Sequence, residues 1–265
     1  MHWRGIDGET LHGALLLPAG YREGRRYPLV VEVYGGARLS DDVNRFGLSG
    51  MGVDNRQLLA TRSIAVLAVD APVRPGTPAR DLLKAVLPGV DQVVSMGIAD
   101  PDRLGVMGHS FGGYSTLALI TQTSRFRAAV DRAGPADWVS AYGQMDKDGS
   151  AAFAHYCEAD KGRPALGGPP WQYPQRYIEN SPIFHLDRVR TPLLLIHGGV
   201  DTSVPPSQSE EVFVGLSRLG REVTYVRYEG EGHYEAHWRH ANAADYLTRA
   251  LNFFERHLCQ PRGRE

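Results

Sequence analysis

The segment Gly108–Gly112 has the Gly-x-Ser-x-Gly pattern in which a serine hydroxyl serves as a nucleophile. Residues 103–107 before it predict a short strand, and residues 114–120 after it predict a buried helix. A strand that turns abruptly into a helix strains the backbone at the serine and raises its hydroxyl above the sheet edge. The flanking glycines leave the space that such a turn requires. Ser110 is therefore the predicted nucleophile, with a helix N-cap as its alternative interpretation.

A serine hydroxyl needs a base to accept its proton, and the base needs an acid that orients it. In sheets with this kind of turn, the order along the chain is Ser, then Asp or Glu, then His. Asp201 follows an apolar strand predicted at 192–197, and His233 lies in a Gly-rich loop after a strand predicted at 223–228. Both loops follow the carboxyl ends of strands, as Ser110 does. The order predicts a catalytic triad, although Asp201 alone also fits a turn-forming role.

Ten histidines compete for the role of base. His197 precedes a Gly-Gly pair and is interpreted as a packed residue at a strand end, and the side chain of His109 is expected to point away from the serine hydroxyl. The spacing of His233, His237 and His240 could suggest a metal site, but no matching carboxylate motif accompanies it. We therefore expect no metal and no other cofactor.

A tetrahedral acyl intermediate also needs donors for its oxyanion. The backbone N–H of Phe111 directly follows the nucleophile and is predicted to be one of them. The second is expected from the loop Tyr34–Gly36, where the glycine pair lets the backbone approach a ligand and the Tyr34 phenol could donate.

Short apolar strands alternate with helices along the chain, which predicts an α/β fold with a mostly parallel sheet covered by helices on both faces. Strands are predicted at 11–17, 27–34, 64–69, 103–107, 128–130, 192–197 and 223–228. Helices are predicted at 53–62, 78–96, 114–120, 208–219 and 239–257. The strand at 11–17 is expected at an edge of the sheet.

Residues 135–182 show no clear strand and are rich in Gly, Pro and aromatic residues. We expect them to pack over the site as a cap-like excursion, with a structural insertion that makes no substrate contact as the alternative.

The composition excludes several other classes of protein. The 265 residues carry a formal net charge of −1, which gives no basic footprint for nucleic acid or for a membrane surface. Two cysteines, Cys157 and Cys259, do not make a disulfide framework. No signal peptide is visible, and no apolar run approaches the roughly 20 residues that span a bilayer. We expect a single domain over residues 1–265, located in the cytoplasm.

The motif Gly108–Tyr114 resembles the nucleophile motif of the prolyl oligopeptidase family, especially its acylaminoacyl and dipeptidyl peptidase branches. The stretches 3–8, 15–18, 181–183 and 197–205 are similar to other signatures of that family. The resemblance therefore runs over essentially the whole chain, and it implies an α/β-hydrolase fold.

By position, the resemblance gives Ser110, Asp201 and His233 the same roles of nucleophile, acid and base. It makes Tyr34 a donor to the oxyanion, as in the dipeptidyl and prolyl branches. It also implies an aromatic pocket suited to proline or a large apolar residue, lined by Phe111, Trp138, Tyr142 and Val204.

One departure from the family concerns its N-terminal β-propeller, which filters substrates and supplies groups that bind a free amine. This chain begins where the hydrolase domain begins, so no propeller is expected in it. The resemblance implies a serine hydrolase that cleaves short peptides or acylated amino acids through an acyl-enzyme. An esterase with the same triad is the alternative, and a non-catalytic binding module is the third reading. Expected partners are a small peptide or acyl ester, with homo-oligomer formation left open.

Overall fold

The computed structural model describes residues 1–43, 56–159 and 166–260, and within them eight strands form one sheet in the order β1-β2-β4-β3-β5-β6-β7-β8. The strands are β1 His2–Arg4, β2 Thr10–Leu16, β3 Tyr27–Val33, β4 Ala65–Asp70, β5 Ala99–His109, β6 Ala128–Arg132, β7 Leu193–Gly198 and β8 Val223–Tyr228. Strands β3 to β8 pair in parallel, whereas β1 and β2 are antiparallel to their neighbours. The prediction of a mostly parallel sheet is confirmed.

The expectation that the strand near residues 11–17 forms an edge was wrong. Strand β2 pairs with β4 on one side and with β1 on the other, so that β1 is the edge strand. Three residues are too few for an alternating pattern to be recognised in the sequence. What fixes β1 is the inward side chain of Trp3, which is buried and whose indole N–H donates to the Ala85 carbonyl at 3.2 Å.

Helices cover both faces of the sheet, as predicted. They are α1 Arg56–Thr61, α2 Pro78–Ser95, α3 Phe111–Ile120, α4 Trp138–Tyr142, α5 Ala152–Glu158, α6 Pro174–Asn180, α7 Ser207–Arg218 and α8 His240–Phe254. Residues 53–55 of the first predicted helix lie outside the described residues. On one face, α2, α3 and α7 share a core represented by Leu82, Leu117 and Val212, and on the other, α1 and α8 share a core represented by Leu59 and Phe254. The inner strands are apolar on both sides because both sides are covered.

The excursion at 135–182 contains α4, α5, α6 and the start of a 3-10 turn over Pro182–Arg188, and its described parts hold no strand. No helix in the described part of the chain has both the length and the apolar character to cross a membrane. All the loops that carry the predicted triad follow the carboxyl ends of parallel strands: β5 for Ser110, β7 for Asp201 and β8 for His233.

Candidate active site

Ser110 stands alone between the last residue of β5 and the first residue of α3, with φ 59° and ψ −122°. A positive φ is costly for a residue with a side chain, so the surrounding contacts must hold it. The Ser110 N–H donates to the Arg132 carbonyl at 2.8 Å. The neighbouring turn admits only glycine, because a Cβ at Gly108 would lie 2.3 Å from the Gly112 carbonyl oxygen. The predicted strained turn is therefore present at the predicted serine.

Asp201 and His233 are joined by a short hydrogen bond inside the protein. His233 Nδ1 donates to Asp201 Oδ2 at 2.6 Å, and both residues are buried. The second carboxylate oxygen, Oδ1, accepts the backbone N–H groups of Ser203 at 2.8 Å and Val204 at 2.9 Å. This arrangement fixes the imidazole with its proton on Nδ1, which leaves Nε2 free to accept a proton.

The charge of Asp201 is maintained despite its burial. Burial raises the pKa of this carboxyl, but hydrogen bonds from His197 and His233 and from the Val204 N–H outweigh it and hold the pKa below its usual range. Asp201 is therefore ionised at neutral pH, and it can stabilise a positive charge on His233.

His197 is buried, as predicted for a strand-end residue, and it contacts Asp201 as well. Its Nε2 lies 2.9 Å from the Val204 carbonyl oxygen and 3.3 Å from Asp201 Oδ2. Since both atoms are acceptors, Nε2 carries the hydrogen, and Nδ1 accepts from the Ser209 hydroxyl at 2.7 Å. The Asp201 carboxylate thus contacts two histidines, His197 and His233, and only His233 lines the cleft at this edge of the sheet.

The loop after β3 lines the site with the Tyr34 side chain, whereas the N–H groups of its two glycines bind acceptors inside the protein. The Gly35 N–H donates to the Ser115 hydroxyl at 3.2 Å, and the Gly36 N–H donates to the Ala71 carbonyl at 2.7 Å. Tyr34 lines the cleft, with its ring centroid 6.2 Å from that of Phe111. Phe111 is the first residue of α3, where helical N–H groups have no partner within the helix.

Ser110 and His233 line one cleft of about 1000 Å³ at this edge of the sheet. Of the four predicted pocket residues, Phe111, Trp138 and Val204 also line it. The buried Trp138 ring lies 6.0 Å from the Phe111 ring. The structure does not bring the fourth, Tyr142, into this lining, since its hydroxyl donates to Glu158 Oε1 at 2.5 Å and its ring packs edge-on against other aromatic side chains.

The excursion contributes a wall of the cleft that the sequence analysis did not assign to particular residues. Phe153 and Tyr156 of α5 line it, and Tyr234 lines it from the loop that carries His233. Phe153 and Tyr156 are three residues apart, a spacing that puts both on one helix face and that could have indicated a shared surface. The polar residues that the excursion adds to the lining are Asp146, Lys147, Asp148, Ser150 and His155.

Asp131 is a buried acid beneath the nucleophile turn. Its Oδ1 accepts the Gly134 N–H at 3.0 Å, and a Cβ at Gly113 would lie 2.1 Å from the same oxygen. Burial raises the pKa of Asp131 to about 7, and the lowering effects of His197, the Gly134 N–H and Arg132 do not offset it. No group of three or more His, Cys, Asp or Glu side chains among the described residues is arranged to hold a metal ion.

Comparison with known proteins identifies relatives of this chain, several of which are named as peptidases. The sequence profile of the prolyl oligopeptidase family matches residues 78–260. The uncharacterized peptidase YuxL of Bacillus subtilis (strain 168) is 27% identical over 266 residues, which cover 95% of this chain and 38% of that protein. Dipeptidyl aminopeptidase BIII of Pseudoxanthomonas mexicana is 27% identical over 247 residues, covering 86% of this chain and 34% of that enzyme.

A puromycin-hydrolyzing peptidase of Mycobacterium tuberculosis superposes with a TM-score of 0.81 at 27% identity, over 100% of this chain and 40% of the other. The chain thus spans about a third to two fifths of the length of these relatives. The family expected from the nucleophile motif is confirmed, because its profile covers well over half of the residues. The chain belongs to the prolyl oligopeptidase family.

Proposed function

We propose that this chain is a serine hydrolase that cleaves short peptides or acylated amino acids, with Ser110 as nucleophile, His233 as base and Asp201 as orienting acid. One observation carries the proposal. The strained Ser110 opens into the same cleft as His233, whose Nδ1 lies 2.6 Å from the buried Asp201 carboxylate. Positive φ alone does not distinguish Ser110, since Ser63 has the same φ of 59° in an exposed turn; what argues against a binding module is the strained serine in one cleft with the buried His233–Asp201 pair.

The reaction would proceed in two halves. Ser110 Oγ attacks the substrate carbonyl while His233 Nε2 takes the hydroxyl proton, and the charge of Asp201 stabilises the resulting imidazolium. The proton then passes to the leaving amine, and the acyl group remains on Ser110. In the second half, a water molecule gives its proton to His233 and attacks the acyl-enzyme, which releases the acid and restores the serine.

The oxyanion formed in each half needs donors that are already in place. The Phe111 N–H at the start of α3 and the Tyr34 phenol fill this role in the proposal. Support for Tyr34 comes from its loop, in which Gly35 and Gly36 both direct their N–H groups to acceptors within the protein.

The substrate side chain is proposed to enter the apolar part of the cleft, formed by Phe111, Trp138, Phe153 and Val204. Aromatic walls of this kind stabilise a large apolar group or a proline through buried apolar area. The names of the relatives, which describe peptidases and a dipeptidyl aminopeptidase, support a peptide rather than a simple ester as the substrate.

The test compares hydrolysis of an aminoacyl nitroanilide and of the nitrophenyl ester of the same acyl group, with Ser110→Ala as the blank. The proposal expects cleavage of both that depends on Ser110 and on His233, together with labelling of Ser110 by a fluorophosphonate. Ester cleavage without anilide cleavage would favour the esterase alternative. The phenolate of a nitrophenyl ester leaves more readily than the amine of an anilide, so its cleavage demands less accurate positioning of the substrate. Turnover that persists in Ser110→Ala would exclude both.

A further inference from the structure

A buried network joins the nucleophile turn to the loop that carries His233. It consists of His109 at the end of β5, Arg132 at the end of β6, and Glu235 in the 3-10 turn Glu235–His237. These three residues are 3%, 2% and 3% exposed. The proposed triad uses none of them, and sequence patterns did not connect them.

Hydrogen bonds of this network connect the two sides of the site in two places. His109 Nε2 lies 2.8 Å from the carbonyl oxygen of His233, and its ring centroid is 4.6 Å from that of His233. Arg132 binds both sides at once, since its carbonyl accepts the Ser110 N–H at 2.8 Å while its Nη1 donates to Glu235 Oε1 at 2.5 Å. The first contact therefore joins His109, next to Ser110, to His233. The second joins the backbone of Ser110, through Arg132, to Glu235, two residues after His233.

The tautomer of His109 follows from its partners. A carbonyl oxygen can only accept, so Nε2 of His109 must carry a hydrogen. The Glu235 carboxylate lies 3.8 Å from the same nitrogen, too far for a hydrogen bond, and it is paired with Arg132 instead. The N–H of His109 is thus directed at the His233 backbone, and the ion pair lies beside it, with Glu235 Oε1 3.8 Å from the same nitrogen.

Residues 229–234 around His233 form no helix or strand, and the Gly232 carbonyl before it accepts the indole N–H of Trp238 at 2.8 Å. Gly230 has φ 78°, and Gly232 has open space around its Cβ position. The hydrogen bond to Asp201 fixes the position of Nδ1 only. The imidazole could still rotate about that atom, which would move Nε2. Holding the His233 carbonyl as well fixes the backbone from which the ring projects, and so determines where Nε2 meets the serine.

We propose that His109, held in place by the Arg132–Glu235 pair, is a positioning residue that sets the approach of His233 Nε2 to Ser110 Oγ. This inference rests on the proposed function of Ser110 and His233. A buried ion pair is weak support for stability, because its desolvation offsets most of its attraction. A role in positioning would account for a buried charged pair at this place, between the serine turn and the loop of His233.

The experiment measures kcat, KM, thermal stability and the rate of Ser110 labelling by a fluorophosphonate in His109→Leu and His109→Gln. Leucine removes the N–H and keeps much of the side-chain volume, whereas glutamine retains an N–H at a similar reach. We expect His109→Leu to lower kcat and the labelling rate by about 10- to 100-fold at unchanged KM, since small misplacements of reacting groups cost that much. His109→Gln should have a kcat and a labelling rate much closer to those of wild type than His109→Leu has.

The double variant Arg132→Met/Glu235→Leu tests the anchor without leaving a buried charge unpaired. It should keep a melting temperature close to that of wild type and still lose kcat. His185→Leu is the matched control, because it removes another histidine contact, from Nε2 to the Ile178 carbonyl at 3.1 Å, outside the cleft lining. It should keep the wild-type kcat.

Three results would overturn the inference: a wild-type kcat in both His109→Leu and the double variant, an equal loss in His109→Gln and His109→Leu, or a loss that follows the melting temperature or KM. Turnover in Ser110→Ala or His233→Ala would instead refute the proposed function. The two failures are therefore distinguishable.

Discussion

Replacing Asp201 with asparagine changes one oxygen of the carboxylate into an amide NH2 and leaves the shape of the side chain nearly unchanged. The hydrogen bonds of the Asp201 carboxylate decide which of its oxygens the amide nitrogen replaces. Oδ1 accepts two backbone N–H groups, from Ser203 at 2.8 Å and Val204 at 2.9 Å, so the amide oxygen must occupy that place. The NH2 group then takes the place of Oδ2 and faces His233 Nδ1, 2.6 Å from the original oxygen.

Two consequences follow for His233. An NH2 group can only donate, so Nδ1 must give up its hydrogen and accept, which moves the hydrogen to Nε2. That tautomer cannot take the serine proton. The variant also lacks the negative charge that stabilises an imidazolium. We expect kcat to fall by about 10⁴-fold, which corresponds to about 5 kcal/mol in the activation barrier.

The assay follows kcat for an ester and an anilide of the same acyl group, with thermal unfolding as a check on the fold. Asp137→Asn is the matched control, because Asp137 caps α4 by accepting the Val139 N–H at 2.8 Å and asparagine caps a helix equally well. It should retain wild-type turnover. If Asp201→Asn kept more than about a tenth of the wild-type kcat, the carboxylate would not be setting the tautomer, and the reasoning would be refuted.

Three other substitutions test the surroundings of the site, and a fourth tests the pocket. Tyr34→Phe should lower kcat by about 100-fold with KM little changed, as loss of an oxyanion donor does, and an unchanged kcat would remove Tyr34 from that role. Gly113→Ala should destabilise the protein by about 1–3 kcal/mol in chemical denaturation, because its Cβ would lie 2.1 Å from Asp131 Oδ1, whereas Gly143→Ala, whose Cβ would lie 3.8 Å from the Ser140 carbonyl oxygen, should not. Asp131 has a raised pKa of about 7, so the folded state binds its proton more tightly and the free energy of unfolding falls as pH rises from about 4 to 7; Asp131→Asn should therefore gain stability relative to wild type between about pH 4 and pH 7, by up to about 4 kcal/mol, and a pH-independent difference would contradict this. Phe153→Ala should raise KM for large apolar acyl groups more than for an alanyl group, and an equal effect on both would place Phe153 outside the substrate pocket.

The sequence was most informative where chemistry and backbone geometry depend on the same few residues. Gly108 is required by a steric contact within the short turn, with the Gly112 carbonyl, so this part of the motif carries its own geometry. The placement of Asp201 and His233 followed from the strands that precede them, because parallel strands bring their carboxyl ends to one edge. These inferences need only local patterns and a general rule of topology.

Features that depend on contacts between distant segments were not predictable in this way. The edge position of β1 depends on Trp3 packing against α2, across more than 80 residues of sequence. The second contact of Asp201, from His197, requires the path of the chain around residues 198–204 rather than any spacing rule. The use of Gly35 and Gly36 for internal hydrogen bonds likewise appears only when Ser115 and Ala71 are in place.

Three of the buried carboxylates at this edge of the sheet, Asp131, Asp201 and Glu235, differ in what surrounds them, and the difference assigns their roles. Glu235 is paired with Arg132, so its charge is already balanced. Asp131 has one backbone donor on Oδ1, and the pKa near 7 that its burial produces leaves it largely protonated in weak acid. Asp201 alone combines a lowered pKa with a direct hydrogen bond to the imidazole that lines the cleft. An imidazolium formed on His233 would therefore be balanced by Asp201, because neither of the other carboxylates has both a free charge and contact with that ring.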